Sequence, residues 1–230
     1  ARSLCALALF LVFSGLLIGS SRGAIGAVLV MLPVMGIAWL PKSRRPLQII
    51  AVALIGIALI GIAGNFGVVE KQRRGLAAND PLSHRDTIWR RALVVTEIYP
   101  VFGAGMGNFG KVGDSAIAAQ VAADGDTYET AHYLGANHAH NLYLNTLAER
   151  GLVGAGVFIG ALLACLIMLL RRRPRAGDDA FLWSAWGASL AAWGIVAMAG
   201  MFNTSFHHEI ALLAVLPLGA WISMIRGAEV

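Results

Sequence analysis

The chain has 230 residues, of which 57% are hydrophobic and 13% are charged, and its mean hydropathy is +0.69. This composition excludes an ordinary soluble domain and predicts an integral membrane protein. The formal net charge of +5 reflects basic clusters beside apolar runs rather than a basic-aromatic module, so we expect no nucleic-acid partner.

Six apolar runs are each long enough to cross a hydrocarbon core about 30 Å thick. They cover residues near 3–19, 23–40, 47–69, 141–170, 180–202 and 209–225. Because these runs are continuously apolar rather than alternating, they predict an all-α protein with about six transmembrane helices. The first run begins at once, without an initiator methionine, so we expect residues 1–230 to be a single membrane domain from a longer protein.

Basic residues cluster in the short loops that follow the second and fourth runs. The clusters are Lys42, Arg44 and Arg45, and then Arg171, Arg172, Arg173 and Arg175. The positive-inside rule predicts that both loops face the cytoplasm. Residues 70–138, whose basic and acidic side chains nearly balance, would then form one large outward-facing loop between the third and fourth spans.

This outward loop contains one predicted amphipathic helix. Residues 83–86 match a capping box with Ser83 as the N-cap, and Pro100 predicts the end of the helix. One side would carry Ile88, Trp89, Ala92 and Val95, and the rest of the surface Arg85, Asp86, Arg90 and Arg91. A helix of about fifteen residues beside a membrane is expected to lie on the helix bundle or on the membrane interface.

A glycine-rich stretch, residues 103–111, follows this helix. Gly105-x-Gly107-x-x-Gly110 fits a dinucleotide fingerprint, and Gly105-x4-Gly110-Lys111 nearly fits a Walker A motif. Val112 stands where the second motif needs a hydroxyl for Mg²⁺, and no strand–helix context is visible. We therefore expect a tight re-entrant turn after Pro100 rather than a nucleotide site.

Two histidines and two asparagines lie within residues 137–141, immediately before the fourth apolar run. Because an unpaired buried polar group costs a few kcal/mol, this cluster indicates a site at the mouth of a span. Arg22 and Arg85, both expected to face outward, could bind a phosphate-bearing ligand bidentately. Alternatively, Arg22 could mark a span end by snorkelling, and Arg85 could be a solvated surface charge.

A zinc site is a further alternative for the same cluster. His207, His208 and Glu209 are predicted at the outward mouth of the last span, where they could join His138 and His140. No helical pair of histidines with zinc-binding spacing is present. We therefore favour a polar patch, and we expect neither a metal nor another cofactor.

Together the motifs resemble the O-antigen ligase and polymerase family of bacterial envelope glycosyltransferases. The family pattern His-[Asn/Ser/Gln]-x9-Gly-x-x-[Gly/Thr/Tyr] is met by His140-Asn141 and Gly151-x-x-Gly154. The family's Ser-Arg-Gly is similar to Ser21-Arg22-Gly23, and its Arg-x3-Trp followed by Pro-x-Phe-Gly-x-Gly is similar to Arg85-x3-Trp89 and residues 100–105. The resemblance covers nearly all of this chain, and it implies that the chain is the C-terminal half of a longer protein.

The resemblance implies a GT-C-like helical fold, multi-pass in the bacterial inner (cytoplasmic) membrane, with the active site and the 70–138 loop facing the periplasm. It also implies inverting, metal-independent transfer of a glycan from undecaprenyl diphosphate. In the ligases the acceptor is a sugar hydroxyl of lipid A–core. By this resemblance His140 is the catalytic base, Arg22 and Arg85 bind the diphosphate, and Asn141 and His138 support them.

Residue chemistry agrees with these roles. An imidazole with an ordinary pKa of about 6.5 can accept the proton of an acceptor hydroxyl. Nearby arginines would help to keep that imidazole neutral, and they could stabilise a departing diphosphate without Mg²⁺. If His138 and His140 lay on a helix, their side chains would point about 200° apart, and only one could face the reacting groups.

Two other functions remain open at this point. A polymerase would use a second lipid-linked glycan as acceptor, and nothing in the sequence separates it from a ligase. A polysaccharide or ion transporter without chemistry would place charged residues at the middle of the membrane. The third and fifth apolar runs lack such residues, which disfavours a transporter.

Overall fold

The computed structural model describes residues 84–175, 177–204 and 208–227, which belong to one compact unit, Leu82–Val230. This part of the chain contains helices and no strand, which confirms the all-α prediction for the described residues. The helices are α1 (Arg85–Ile98), α2 (Asp114–Ala123), α3 (Leu142–Arg171), α4 (Ala180–Ala199) and α5 (His208–Gly227). Short 3-10 turns cover Phe109–Lys111 and Thr130–His132. The first three predicted spans, and Arg22 with them, lie outside the described residues.

Among the described helices, α3 and α4 are long and apolar enough to cross a membrane. They coincide with the fourth and fifth predicted spans to within three residues at each end. Helix α5 coincides with the sixth, and it contains the apolar stretch Ala214–Ile225 with Pro217 inside it. The described residues therefore contain helices at the positions of three predicted spans, and two of these helices are long and apolar enough to cross a membrane.

Helix α3 bends sharply at Gly151, which the continuous apolar pattern did not predict. Gly151 has φ 64° and ψ −168°, a conformation essentially restricted to glycine. The rings of Tyr143 and Phe158 lie 6.4 Å apart, whereas fifteen residues of straight helix would separate them by about 22 Å. The helix thus consists of a short segment, residues 142–150, and a long segment, residues 152–171. Only the long segment is the continuous apolar span.

The loop after α1 supplies hydrogen bonds to the backbone around this bend. On one side, the amides of Ala104 and Gly105 donate to the carbonyls of Ala148 (2.9 Å) and Glu149 (3.0 Å). On the other, the amides of Leu152 and Val153 donate to the carbonyls of Pro100 (2.8 Å) and Val101 (3.2 Å). A break in a helix leaves such groups without intrahelical partners, and here the loop replaces those partners.

Two glycines allow the loop and the bend to approach this closely. A Cβ atom on Gly103 would collide with the backbone of Glu149 and Arg150, and one on Gly151 would collide with the carbonyl group of Val101. The amide of Gly103 also donates to the carbonyl of Tyr99 (3.1 Å), which closes a turn over Pro100. The predicted tight turn after Pro100 is therefore confirmed, and its function in the fold is to fit into the bend of α3.

Helices α1 and α2, the first 3-10 turn and the short segment of α3 share a small hydrophobic core. Its buried members are Ile88, Ala92, Val94, Val95, Phe109, Val112, Ile117, Val121, Ala139 and Ala148. The predicted amphipathic helix is confirmed: α1 ends before Pro100 and buries Ile88, Ala92 and Val95. Its predicted start is wrong by one residue, because His84 is the N-cap residue and makes no capping side-chain hydrogen bond.

Arg91 is the main departure from the predicted faces of α1. The sequence pattern put it among the polar surface residues, but it is buried. Its guanidinium donates to the carboxylate of Asp114 and to the carbonyl oxygens of Val112 and Tyr133. Because these partners lie on α2 and in the connecting segments, the buried Arg91 side chain holds those parts of the loop against α1.

Candidate functional site

The two histidines of the cluster lie in the turn that precedes α3, not on the helix itself. Asn141 is the N-cap of α3, and its side-chain oxygen accepts hydrogen bonds from the amides of Tyr143 (3.0 Å) and Leu144 (3.1 Å). His140 has a left-handed backbone with φ 48°. The rings of His138 and His140 are 4.3 Å apart, centroid to centroid. The prediction that they point in nearly opposite directions is therefore wrong, because it assumed helical geometry.

Asn145 fixes the turn that brings the two rings together. Its side-chain oxygen accepts a hydrogen bond (2.9 Å) from the amide of Ala139, the residue between the histidines. Both Ala139 and Asn145 are buried. Sequence reasoning did not select Asn145, although a polar residue one turn after the cap of an apolar helix was a usable signal.

The turn is also attached to the C-terminal end of α4. The Asn141 side-chain amide donates to the carbonyl of Met201 (3.0 Å), and the Leu142 amide donates to that of Gly200 (2.7 Å). The hydroxyl of Tyr143 donates to the carbonyl of Ala197 (2.7 Å). Asn141, predicted to support the site, thus caps α3 and connects it to the C-terminal end of α4. His140 is the residue directly before Asn141.

The surroundings of His140 favour its neutral form. The imidazole is half-buried, and this burial is the largest cause that lowers its pKa from the ordinary value. The charges of His138 and Arg85 lower the pKa further. Arg85, the first residue of α1, is therefore close enough to act electrostatically on His140, as was expected of a nearby arginine. The structure brings together three of the predicted site residues, His138, His140 and Arg85.

Glu149 is a second residue that sequence reasoning missed. Its carboxylate is buried on the short segment of α3, and it accepts a hydrogen bond from the amide of Phe109 (3.4 Å). Phe109 is itself fully buried in the loop core. Glu149 thus connects the loop to the helix that follows the histidine turn. Its signal was a charged residue inside an apolar run.

The zinc alternative depends in part on residues outside the described part of the chain. Within the described part of the chain, no three His, Cys, Asp or Glu side chains come together as a metal-binding group. His207 and the side chains of His208 and Glu209 lie outside the described residues.

One comparison with known proteins gives a match. The sequence profile described as O-antigen ligase matches residues 7–159, which is more than half of the chain. The matched range begins before Arg22 and ends inside the long segment of α3, so it contains Arg85, His140 and Gly151. No curated protein and no solved structure matches the chain.

Proposed function

Because the chain belongs to the O-antigen ligase family, we propose that it is the part of a lipid-dependent glycosyltransferase that carries the catalytic base. The reaction is the inverting, metal-independent transfer of a glycan from undecaprenyl diphosphate to a sugar hydroxyl of lipid A–core. It takes place at the periplasmic face of the bacterial inner membrane. The observation that carries this proposal is a half-buried imidazole, His140, whose pKa is lowered beside an arginine.

His140 acts as the general base. The acceptor hydroxyl gives its proton to the neutral imidazole while its oxygen attacks the anomeric carbon of the donor sugar. The bond from that carbon to the diphosphate oxygen breaks, and the electron pair leaves with undecaprenyl diphosphate. Attack opposite the leaving group inverts the anomeric configuration. A lowered pKa keeps the base unprotonated at neutral pH, so it is ready to accept the proton.

Arg85 and Arg22 bind the diphosphate and stabilise the negative charge that grows on it. Two guanidinium groups would supply the cationic environment that Mg²⁺ supplies in other transferases. The position of Arg85 near His140 supports its share of this role. The role proposed for Arg22 rests on the Ser21-Arg22-Gly23 motif alone.

Mass spectrometry of the product tests the reaction. Full-length protein in lipid vesicles receives a defined undecaprenyl-diphosphate-linked glycan and either lipid A–core or a second lipid-linked glycan. Glycosylated lipid A–core is the expected product, whereas a lengthened lipid-linked glycan would identify a polymerase. Movement of an unaltered donor across the membrane, with no new glycosidic bond, would identify a transporter.

His140→Ala tests the base, and His132→Ala is its matched control. His132 is an exposed histidine of the same loop, where it lies 3.6 Å from Glu129. We expect His140→Ala to lose nearly all transfer while the protein inserts normally, and His132→Ala to keep it. Undiminished transfer by His140→Ala would show that this histidine motif does not supply the general base.

A further inference from the structure

Large apolar side chains are exposed where the loop meets the bend of α3. We call this patch the apolar rim, and its members are Val101, Phe102, Met106, Leu152 and Val153. Phe102 is 74% exposed, Met106 73% and Leu152 64%. The backbone hydrogen bonds from Leu152 and Val153 to Pro100 and Val101 place the two halves of the rim side by side. The rim is therefore one continuous surface.

The exposure of the rim does not arise from a loop that lacks a core. Phe109 and Ile117 of the same loop are fully buried. Soluble surfaces seldom expose several neighbouring large apolar side chains, and such a patch usually marks a binding surface. The rim is therefore a candidate binding surface.

The rim is continuous with the surface of the membrane-spanning segment. Residues 152–171 form a helix about 30 Å long, which matches the hydrocarbon thickness of a bilayer. Leu152 and Val153 begin that span, and exposed apolar side chains continue along it at Val157, Ile159 and Leu163. An exposed apolar surface of this length suits lipid contact, and the rim at its end then lies where hydrocarbon meets the headgroups.

The polar neighbours of the rim suit that boundary. A guanidinium nitrogen of Arg150 lies 3.1 Å from the sulfur of Met106, and the arginine side chain is exposed. Tyr99, at the start of the same turn, is also exposed. Arginine and tyrosine are both typical of the headgroup level, where an apolar stem or ring meets a polar end.

We propose that the apolar rim inserts into the outer boundary of the lipid bilayer, with Arg150 at the level of the lipid phosphates. The loop of residues 99–106 is then a membrane anchor as well as a support for the bend. This interaction fixes the depth of the short segment of α3, and with it the histidine turn. The lipid contact itself does not depend on the proposed reaction.

Site-specific fluorescence tests the insertion. Cys5 and Cys165 are replaced by alanine in the full-length protein, and a polarity-sensitive dye is attached to Phe102→Cys, Met106→Cys or Asp126→Cys. Asp126 is exposed and charged, so it is the matched control in water. The vesicles contain phosphatidylethanolamine, phosphatidylglycerol and a lipid with a nitroxide near the headgroup end of its acyl chain.

Quenching at positions 102 and 106 should exceed that at position 126 several-fold, with blue-shifted emission. Two results would overturn the proposal. Emission and quenching like those at position 126 would place the rim in water. Blue-shifted emission without quenching would mean that protein, not lipid, covers the rim. Because the labelled side chains are exposed, the dye does not disturb the loop core.

Discussion

The ring of His138 lies 4.3 Å from that of His140, close enough to act on it electrostatically. The charge of His138 lowers the pKa of His140. Replacing His138 removes this effect, so the pKa of His140 should rise. A base works only when neutral, so a higher pKa moves the acid side of the pH–rate profile to higher pH.

We therefore expect His138→Ala to keep transfer at alkaline pH and to lose it at a higher pH than the wild type does. The measurement is initial transfer rate against pH for full-length protein, with His132→Ala as the control that should not shift. An unshifted profile in His138→Ala would show that His138 does not act on the pKa of His140, or that His140 is not the base.

Arg85 is expected to bind the diphosphate through its planar guanidinium, which an ammonium group does not reproduce. Arg85→Lys should therefore lose most of the transfer activity, on the order of tenfold or more if one charge-assisted hydrogen bond is lost. Arg90→Lys changes an exposed arginine of the same helix and is expected to behave as wild type. The measurement is the transfer rate of each variant, relative to the amount of protein in the membrane. Wild-type activity in Arg85→Lys would show that Arg85 is only a surface charge.

At the residue scale, the sequence identified side chains whose chemistry was out of place in their surroundings. His140, His138 and Arg85 were selected as candidates in this way, because histidines at the start of an apolar run and a cation at a helix start are conspicuous. Arg91 and Asn145 were missed. Their partners are distant residues or backbone groups, which only the folded chain brings to them.

At the scale of elements, α3 shows why hydropathy predicts the ends of a helix better than a bend within it. The apolar run at 141–170 gave the ends of α3 to within one residue. The bend at Gly151 was hidden because the residues on both sides of it are apolar or compatible with a helix. What creates the bend is the loop at residues 100–105, which replaces the lost helical hydrogen bonds, and no local pattern contains that contact.

Gly151→Ala should disrupt this bend. Its backbone conformation costs a residue with a side chain roughly 1–3 kcal/mol, and a Cβ atom would also collide with Val101. We expect a lower melting temperature and a severe loss of transfer, because the histidine turn moves with the short segment. Gly156→Ala is the matched control, since no described atom lies within 4 Å of a Cβ there. A control variant as unstable as Gly151→Ala would contradict this account.

At the scale of the whole molecule, orientation decides whether the reaction is possible. The long segment of α3 ends at Arg171, the first of the basic residues at 171–175, and the histidine turn lies beyond its other end. If the basic end faces the cytoplasm, the turn faces the periplasm, where nucleotide sugars are absent and the glycan must arrive on a lipid diphosphate. The site and the donor chemistry thus both depend on the direction in which α3 crosses the membrane.

Cysteine labelling in intact spheroplasts tests that direction. With Cys5 and Cys165 replaced by alanine, Asp124→Cys places a thiol at the exposed end of α2, and Ser43→Cys places one in the first basic loop. A membrane-impermeant maleimide should label position 124 in intact spheroplasts and position 43 only after lysis, because the charge distribution predicts that residues 70–138 face the periplasm and both basic loops the cytoplasm. Labelling at position 43 but not at position 124 would reverse the orientation. It would put His140 on the side where nucleotide sugars are available, and a lipid diphosphate donor would no longer be required.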